Sequence, residues 1–138
     1  MMDAVSTVMK AALGLACAMP LMTAQAAGTA QRAPSFSKQV QPILDANCVA
    51  CHQTGSAQQG LVLESGIAYG ALSKGSAELP TMKLVQAGSA DTSYVYRKLS
   101  GSHAEVGGKG ARMPLGGALQ DGDVETIRRW IAAGAKND

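Results

Sequence analysis

Apolar residues recur at helical spacing in three stretches of the chain. The first stretch follows Ser35, a suitable N-cap, and Pro42 is expected to kink this helix or to separate its first turn from segment 43–52. The second stretch predicts a helix within 87–101, and the third predicts a helix over 124–133, the strongest helical pattern in the sequence. The apolar positions on the three faces are Phe36, Val40, Ile43 and Leu44; Tyr94, Val95, Tyr96 and Leu99; and Val124, Ile127, Trp130 and Ile131.

Polar residues predict where the last two of these helices begin. Ser89 or Asp91 can cap the second helix. Gln120 is a poor cap for the final helix, so Asp121 is expected to take over that role. Trp130 is predicted to anchor the final helix in the core, against the N-terminal helix.

The rest of the chain has a weaker pattern. The polar, glycine-containing segment 53–60 predicts a loop, and the apolar residues of 67–72 predict a short helix. Segment 102–117 is glycine-rich and is expected to be mostly irregular.

Residues 1–26 have the pattern of a secretory leader. Lys10 precedes an apolar run over 11–22, and Ala24-Gln25-Ala26 then provides a small-x-small cleavage signal. The 12-residue apolar run is too short to span a bilayer, so the mature chain is expected to begin at Ala27 without a transmembrane span.

The first eight residues fit a leader poorly because they add an acid, Asp3, and no base. Translation is therefore expected to begin at Met9. After the leader, segment 27–34 is small, polar and proline-terminated, which predicts a flexible linker. Residues 35–138 then form the single predicted domain.

Composition and charge narrow the class of protein. The 112 residues that remain of 138 after leader removal are enough for one domain. The formal net charge is only +2, and such a balance argues against a nucleic-acid-binding protein.

Two cysteines and a histidine form the motif that points most directly to a chemistry. Cys48, Cys51 and His52 match the Cys-x-x-Cys-His pattern of c-type haem attachment. On a helical turn the spacing places all three on one face. The two thiols would form thioethers with the haem vinyl groups, and the His52 imidazole would be the proximal iron ligand.

Two other uses of these residues, a zinc site and a redox dithiol, fit the sequence less well. A zinc site needs four ligands, and the further donors are only Cys17, within the predicted leader, and His103. A thioredoxin-like dithiol would follow a strand and begin a helix, but no strand-like run precedes Cys48. Covalent haem is therefore the predicted chemistry.

A buried porphyrin also suits the composition. Aromatic residues make up only 4% of the chain, and 16 glycines would let loops approach a flat ring closely. The apolar run over 61–63 either packs on the haem or forms a short strand, and its periodicity does not distinguish the two.

Met113 is the predicted sixth ligand of the iron. Its thioether is a soft donor, and the glycine-framed sequence Arg112-Met113-Pro114 is typical of a ligand loop rather than of a core. Met82 is the competing methionine, and His103 would give a bis-histidine haem.

Together these motifs resemble the small exported bacterial monohaem cytochromes c of class I. The resemblance covers 36–135, and only the haem motif and Met113-Pro114 are functionally specific. It implies an all-α, class I cytochrome c fold with a few helices around one covalent haem c. It also implies crossing of the first and last helices, and iron ligation by His52 and Met113. The matching segments are 40–44, 48–52, 96–99, 112–117 and 127–135.

The expected function is that of a periplasmic one-electron carrier rather than an enzyme. Partners are expected to be redox proteins that dock transiently, with no nucleic acid. Two alternatives stay open: a haem enzyme or ligand-binding haem protein with an open sixth site, and a haem subunit of a larger dehydrogenase or oxidase. A weak docking rim is predicted at Lys74, Lys83, Lys98, Lys109 and Arg112.

Overall fold

A computed structural model describes residues 32–138. Regular structure in this range is helical, with no strand beyond one isolated antiparallel bridge between Gly75 and Lys83. The all-α prediction is therefore confirmed for this part of the chain. The elements are a π-helical turn Phe36–Val40, α1 Gln41–Asn47, a 3-10 turn Gln58–Gly60, α2 Ala68–Leu72, α3 Tyr94–Ser100, a 3-10 turn His103–Val106 and α4 Asp121–Ala132.

The predicted leader over 1–26 lies outside the described residues, as do positions 27–31 of the predicted linker. The last linker residues are in contact with the helical domain, since the Arg32 carbonyl accepts a 2.8 Å hydrogen bond from Arg129 Nη2. From residue 32 onward, no helix has the length and apolarity that crossing a bilayer requires.

Pro42 divides the first helix as predicted. Ser35 caps the preceding turn, with its Oγ accepting a 3.4 Å hydrogen bond from the Lys38 amide. In this turn the Gln41 amide donates to the Phe36 carbonyl, five residues back. Pro42 lies in the first turn of α1, where a helix tolerates a residue without an N–H best.

The start of α3 differs from the prediction. Neither Ser89 nor Asp91 caps it, because the N-cap position belongs to Ser93. The Ser93 hydroxyl makes no capping bond and instead donates to the Ser89 carbonyl at 2.7 Å. Gly101, with φ +82°, ends the helix in the left-handed conformation that glycine adopts without strain.

The start of α4 also differs from the prediction. The helix begins three residues before position 124, and Gln120 occupies the N-cap without a side-chain bond. The predicted cap Asp121 is therefore wrong, because it is the first helical residue. Together with Asp123 it places negative charge in the first turn, where the helix dipole favours it.

Trp130 fastens α4 to the π-helical turn. The residue is 2% exposed, and its ring centroid lies 5.2 Å from that of Phe36 and 6.4 Å from that of Tyr69. Its Nε1 donates to the Lys136 carbonyl at 2.8 Å, and the Phe36 amide donates to Asp138 Oδ1 at 2.8 Å. The predicted anchoring of the last helix against the first is confirmed.

The segment between α1 and α2 contains no strand. Leu63, from the apolar run 61–63, is buried in the core, and its carbonyl accepts a 3.1 Å hydrogen bond from Gln41 Nε2. The predicted short helix over 67–72 is present as α2, one residue shorter at its start.

Candidate functional site

The two cysteines and the histidine share one turn directly after α1. The Cys48 carbonyl accepts hydrogen bonds from the amides of Cys51, at 3.1 Å, and His52, at 3.0 Å. The Cys48 amide itself donates to the Leu44 carbonyl at 2.8 Å, so the turn continues directly from the helix. Cys48, Cys51 and His52 therefore belong to one turn with i, i+3 and i+4 hydrogen bonding, as the spacing of the motif predicts.

The two thiols are free and differ in exposure. Cys51 is exposed, whereas Cys48 is half-buried and packs against the core. Burial, with a smaller contribution from the neighbouring Cys51, raises the pKa of Cys48 to about 11. Reactive dithiols have lowered pKa values and lie at helix N-termini, whereas Cys48 occupies the C-cap of α1. The geometry therefore disfavours a redox dithiol.

The His52 ring is oriented by a backbone carbonyl. Its Nδ1 lies 3.0 Å from the Leu61 oxygen. A carbonyl oxygen can only accept, so Nδ1 carries a proton, and in the neutral imidazole Nε2 then has the lone pair that could bind a metal. The Leu63 amide also donates to the His52 carbonyl at 2.7 Å, which fixes the backbone of the same residue. This is the arrangement in which an outer hydrogen bond fixes the tautomer of a ligating histidine.

Segment 53–60 forms a loop that brings Leu61 back beside His52. Glu64 Oε2 accepts a 2.9 Å hydrogen bond from the Thr54 amide and a second bond from the Thr54 hydroxyl. These bonds hold the pKa of the Glu64 carboxyl below its ordinary value. They close the loop so that the Leu61 carbonyl is held beside the ring.

Met113 is half-buried and packs against the same core as Cys48. Its amide donates to the Lys98 carbonyl at 3.1 Å, which ties it to the end of α3. The preceding side chain, Arg112, donates from Nε to the Leu99 carbonyl at 2.7 Å. The segment that carries the Met113 thioether is thus hydrogen-bonded to α3.

The two competing sixth ligands have other environments. His103 is 6% exposed, and its Nε2 donates to the Gly110 carbonyl at 3.0 Å. Its buried Nδ1 has no hydrogen-bond partner. Met82 is half-buried in the loop before α3, with its amide bonded to the Leu79 carbonyl at 2.9 Å. Over 32–138 no three histidine, cysteine or acidic side chains gather as a metal site.

The prediction that Lys98 belongs to an exposed docking rim is wrong, because its side chain is buried. The residue is 9% exposed and forms a 2.9 Å ion pair with Glu78. Its Nζ lies 5.8 Å from the centroid of the Tyr94 ring. Burial, together with the Glu78 carboxylate, raises the pKa of Tyr94 to about 12.

The Glu78 carboxylate stabilises the fold. Partial burial opposes its ionisation, but the contact with the Lys98 ammonium and the hydrogen bond from the Lys109 amide outweigh that cost, so the pKa of Glu78 lies below its ordinary value. A lowered folded-state pKa stabilises the fold above the ordinary value. This stabilisation is lost as the pH falls through the lowered pKa.

Gly108→Ala is expected to lower the free energy of unfolding by about 1–3 kcal/mol. A Cβ there would overlap the Tyr94 hydroxyl and lie 2.8 Å from the His103 carbonyl oxygen. Urea unfolding measures the change. Gly117→Ala is the matched control, because a Cβ at Gly117 meets nothing within 4 Å. Equal stabilities of the two variants would contradict the close approach.

The sequence carried no signal for two of these groups. Any residue can offer a carbonyl, so the Leu61 oxygen became identifiable only once the loop was closed. The burial of Lys98 depends on Glu78, twenty positions earlier in the chain, and no local pattern connects them. Comparison with known proteins adds no further constraint, because no protein-family model, curated protein or solved structure matches this chain.

Proposed function

We propose that this protein is an exported one-electron carrier of the class I cytochrome c type, with one haem c attached to Cys48 and Cys51. The observation that carries the proposal is the hydrogen bond from His52 Nδ1 to the Leu61 carbonyl. It leaves Nε2 available as a ligand on the same turn as two free thiols. A redox dithiol does not need the oriented imidazole, and a structural histidine does not need the two free thiols.

The donor set fits haem c. Two free thiols three residues apart can form two thioethers, and a neutral imidazole with a fixed tautomer can bind iron. Met113 offers the soft thioether of a His/Met pair. When bound, the haem supplies an iron centre that cycles between Fe(II) and Fe(III).

The chain's own residues have three tasks in this proposal. The Leu61 carbonyl keeps the His52 ring in one orientation. Met113 would hold the iron as its second protein ligand, and a His/Met pair would give the haem a raised reduction potential. The packing of α4 on the π-helical turn through Trp130 supplies the rigid support that a class I fold requires. Fixed ligands let the oxidation state change with little rearrangement.

Export and docking complete the proposal. The predicted leader directs the chain to the periplasm, where haem c would be held with no transmembrane span in the mature chain. Contact with redox partner proteins is expected to be small and transient. Exposed cationic side chains at Lys74, Lys83 and Lys109, with the exposed Leu115, are available for such contact.

Met113→Ala is expected to remove the weak long-wavelength band of sulfur-to-iron ligation from the ferric spectrum. The reduction potential is expected to fall by part of the roughly 0.8 V over which axial ligands tune haem proteins. Absorption spectra of the oxidised and reduced protein, with a redox titration, measure both effects. Met82→Ala is the matched control and should leave the band unchanged.

Two results would contradict this assignment. Loss of the band in Met82→Ala alone would transfer the sixth ligand to Met82. A high-spin spectrum indifferent to Met113→Ala would remove Met113 from the iron and favour a ligand-binding or enzymatic haem protein.

A further inference from the structure

All six residues of segment 108–113 form hydrogen bonds with other parts of the chain. The Ala111 carbonyl accepts one from Lys98 Nζ, and five further bonds hold the remaining residues. The backbone of a glycine-rich loop otherwise keeps much conformational freedom, so these hydrogen bonds restrict the segment strongly. The bonds join the Gly108 amide to the His103 carbonyl at 2.9 Å, the Lys109 amide to Glu78 Oε1 at 2.7 Å, His103 Nε2 to the Gly110 carbonyl at 3.0 Å, Arg112 Nε to the Leu99 carbonyl at 2.7 Å, and the Met113 amide to the Lys98 carbonyl at 3.1 Å.

Lys98 makes three of the hydrogen bonds that hold this segment. An ammonium group has three donors, and the structure gives each of them an acceptor. Nζ lies 2.6 Å from the Lys109 carbonyl, 3.3 Å from the Ala111 carbonyl and 2.9 Å from Glu78 Oε2. The same residue accepts the Met113 amide with its own carbonyl. Lys98 thus binds the loop through its side chain and fixes the loop's end through its backbone.

We propose that Lys98, held by Glu78, is a positioning residue that keeps the Met113 thioether directed at the haem iron. The proposal deepens the proposed function and rests on it, since it takes Met113 as the sixth ligand. Lys98 touches neither haem nor iron in this role. It acts by ordering segment 108–113.

Lys98 matters for ligation because a mobile loop would hold the Met113 thioether near the iron for only part of the time. A methionine on a mobile loop spends part of its time away from the iron, and an added ligand binds that open form. The apparent affinity for such a ligand rises with the fraction of open protein. Removing the three bonds of Lys98 Nζ should therefore raise this fraction strongly, because the two carbonyls and the Glu78 carboxylate lose their shared partner.

Imidazole binding to the haem-loaded ferric protein tests the role. Lys98→Met keeps the length of the side chain without its charge, and it is expected to bind imidazole about tenfold more tightly than wild type, or tighter still. Glu78→Gln, a milder change in the same cluster, is expected to shift the affinity in the same direction. Lys38→Met applies the same substitution to an exposed lysine elsewhere and should match wild type.

Hydrogen exchange supplies a second readout that does not depend on the iron. In Lys98→Met the amides of Lys109 and Met113 should exchange faster, whereas the Leu63 amide, bonded to His52, should not change. Ile131→Val provides a variant with a weakened core. It should unfold at lower denaturant concentration without tighter imidazole binding.

The possible failures are distinguishable. If Met113→Ala removes the sulfur band while Lys98→Met and Glu78→Gln bind imidazole as wild type does, the positioning role is overturned and the proposed function stands. If Ile131→Val tightens imidazole binding as much as Lys98→Met, Lys98 contributes only general stability and the role is likewise overturned. A wild-type spectrum without the sulfur band overturns Met113 ligation, and the role of Lys98 with it.

Discussion

Replacing both motif cysteines, Cys48→Ser with Cys51→Ser, is expected to abolish covalently bound haem. Thioethers require sulfur, and these are the two free thiols of the described range. The exported protein should be colourless after extraction with acidified acetone, which removes haem that is not covalently attached. Haem retention on a denaturing gel measures the effect directly.

The single variants and one control sharpen this test. Cys48→Ser or Cys51→Ser alone should retain at most one thioether and a reduced haem content. Cys17→Ser, in the predicted leader outside the described residues, applies the same change to the third cysteine and should leave haem content unchanged. Covalent haem in the double variant would contradict the attachment site.

Trp130→Ala is expected to lower the free energy of unfolding by about 3–5 kcal/mol. The side chain is nearly fully buried between Phe36 and Tyr69, so its removal leaves a cavity where α4 meets the first turn. Because domains of this size are stabilised by about 5–15 kcal/mol, the loss is a large part of the total. Urea unfolding of the haem-loaded protein, followed by circular dichroism, measures it.

Trp130→Phe separates packing from the hydrogen bond of the indole. It keeps most of the buried aromatic volume but loses the 2.8 Å bond from Nε1 to the Lys136 carbonyl. The expected loss is about 1 kcal/mol from the bond, with a further contribution from the smaller ring. A Trp130→Ala variant as stable as Trp130→Phe would show that the contact between α4 and the first turn does little to hold the fold.

The features that could be predicted from sequence are those decided within a few residues. Ser35 caps and Pro42 divides the first helix because capping and the missing proline N–H act locally. The turn that carries Cys48 and His52 follows from spacing alone. Trp130 could be placed in the core because a single large aromatic on an amphipathic face is seldom exposed.

The features that could not be predicted depend on how the chain folds back on itself, over distances from a few residues to twenty. Ser93 does not cap α3 with its hydroxyl because Ser89 and Gln86 offer that hydroxyl backbone partners. Lys98 looked like surface charge, since lysine is rarely buried without a paired acid, and its pair is supplied by a different segment. The partner of His52 is a carbonyl, which no side-chain pattern identifies.

Mass spectrometry of one proteolytic peptide tests the central claim most directly. Trypsin cleaves after Lys38 and Lys74, and segment 39–74 between them contains the complete Cys-x-x-Cys-His motif. From the exported wild-type protein, this peptide should carry the added mass of one haem, and neither cysteine should react with an alkylating reagent. The same peptide at its unmodified mass, with both cysteines alkylated, would contradict covalent haem attachment and the carrier function built on it.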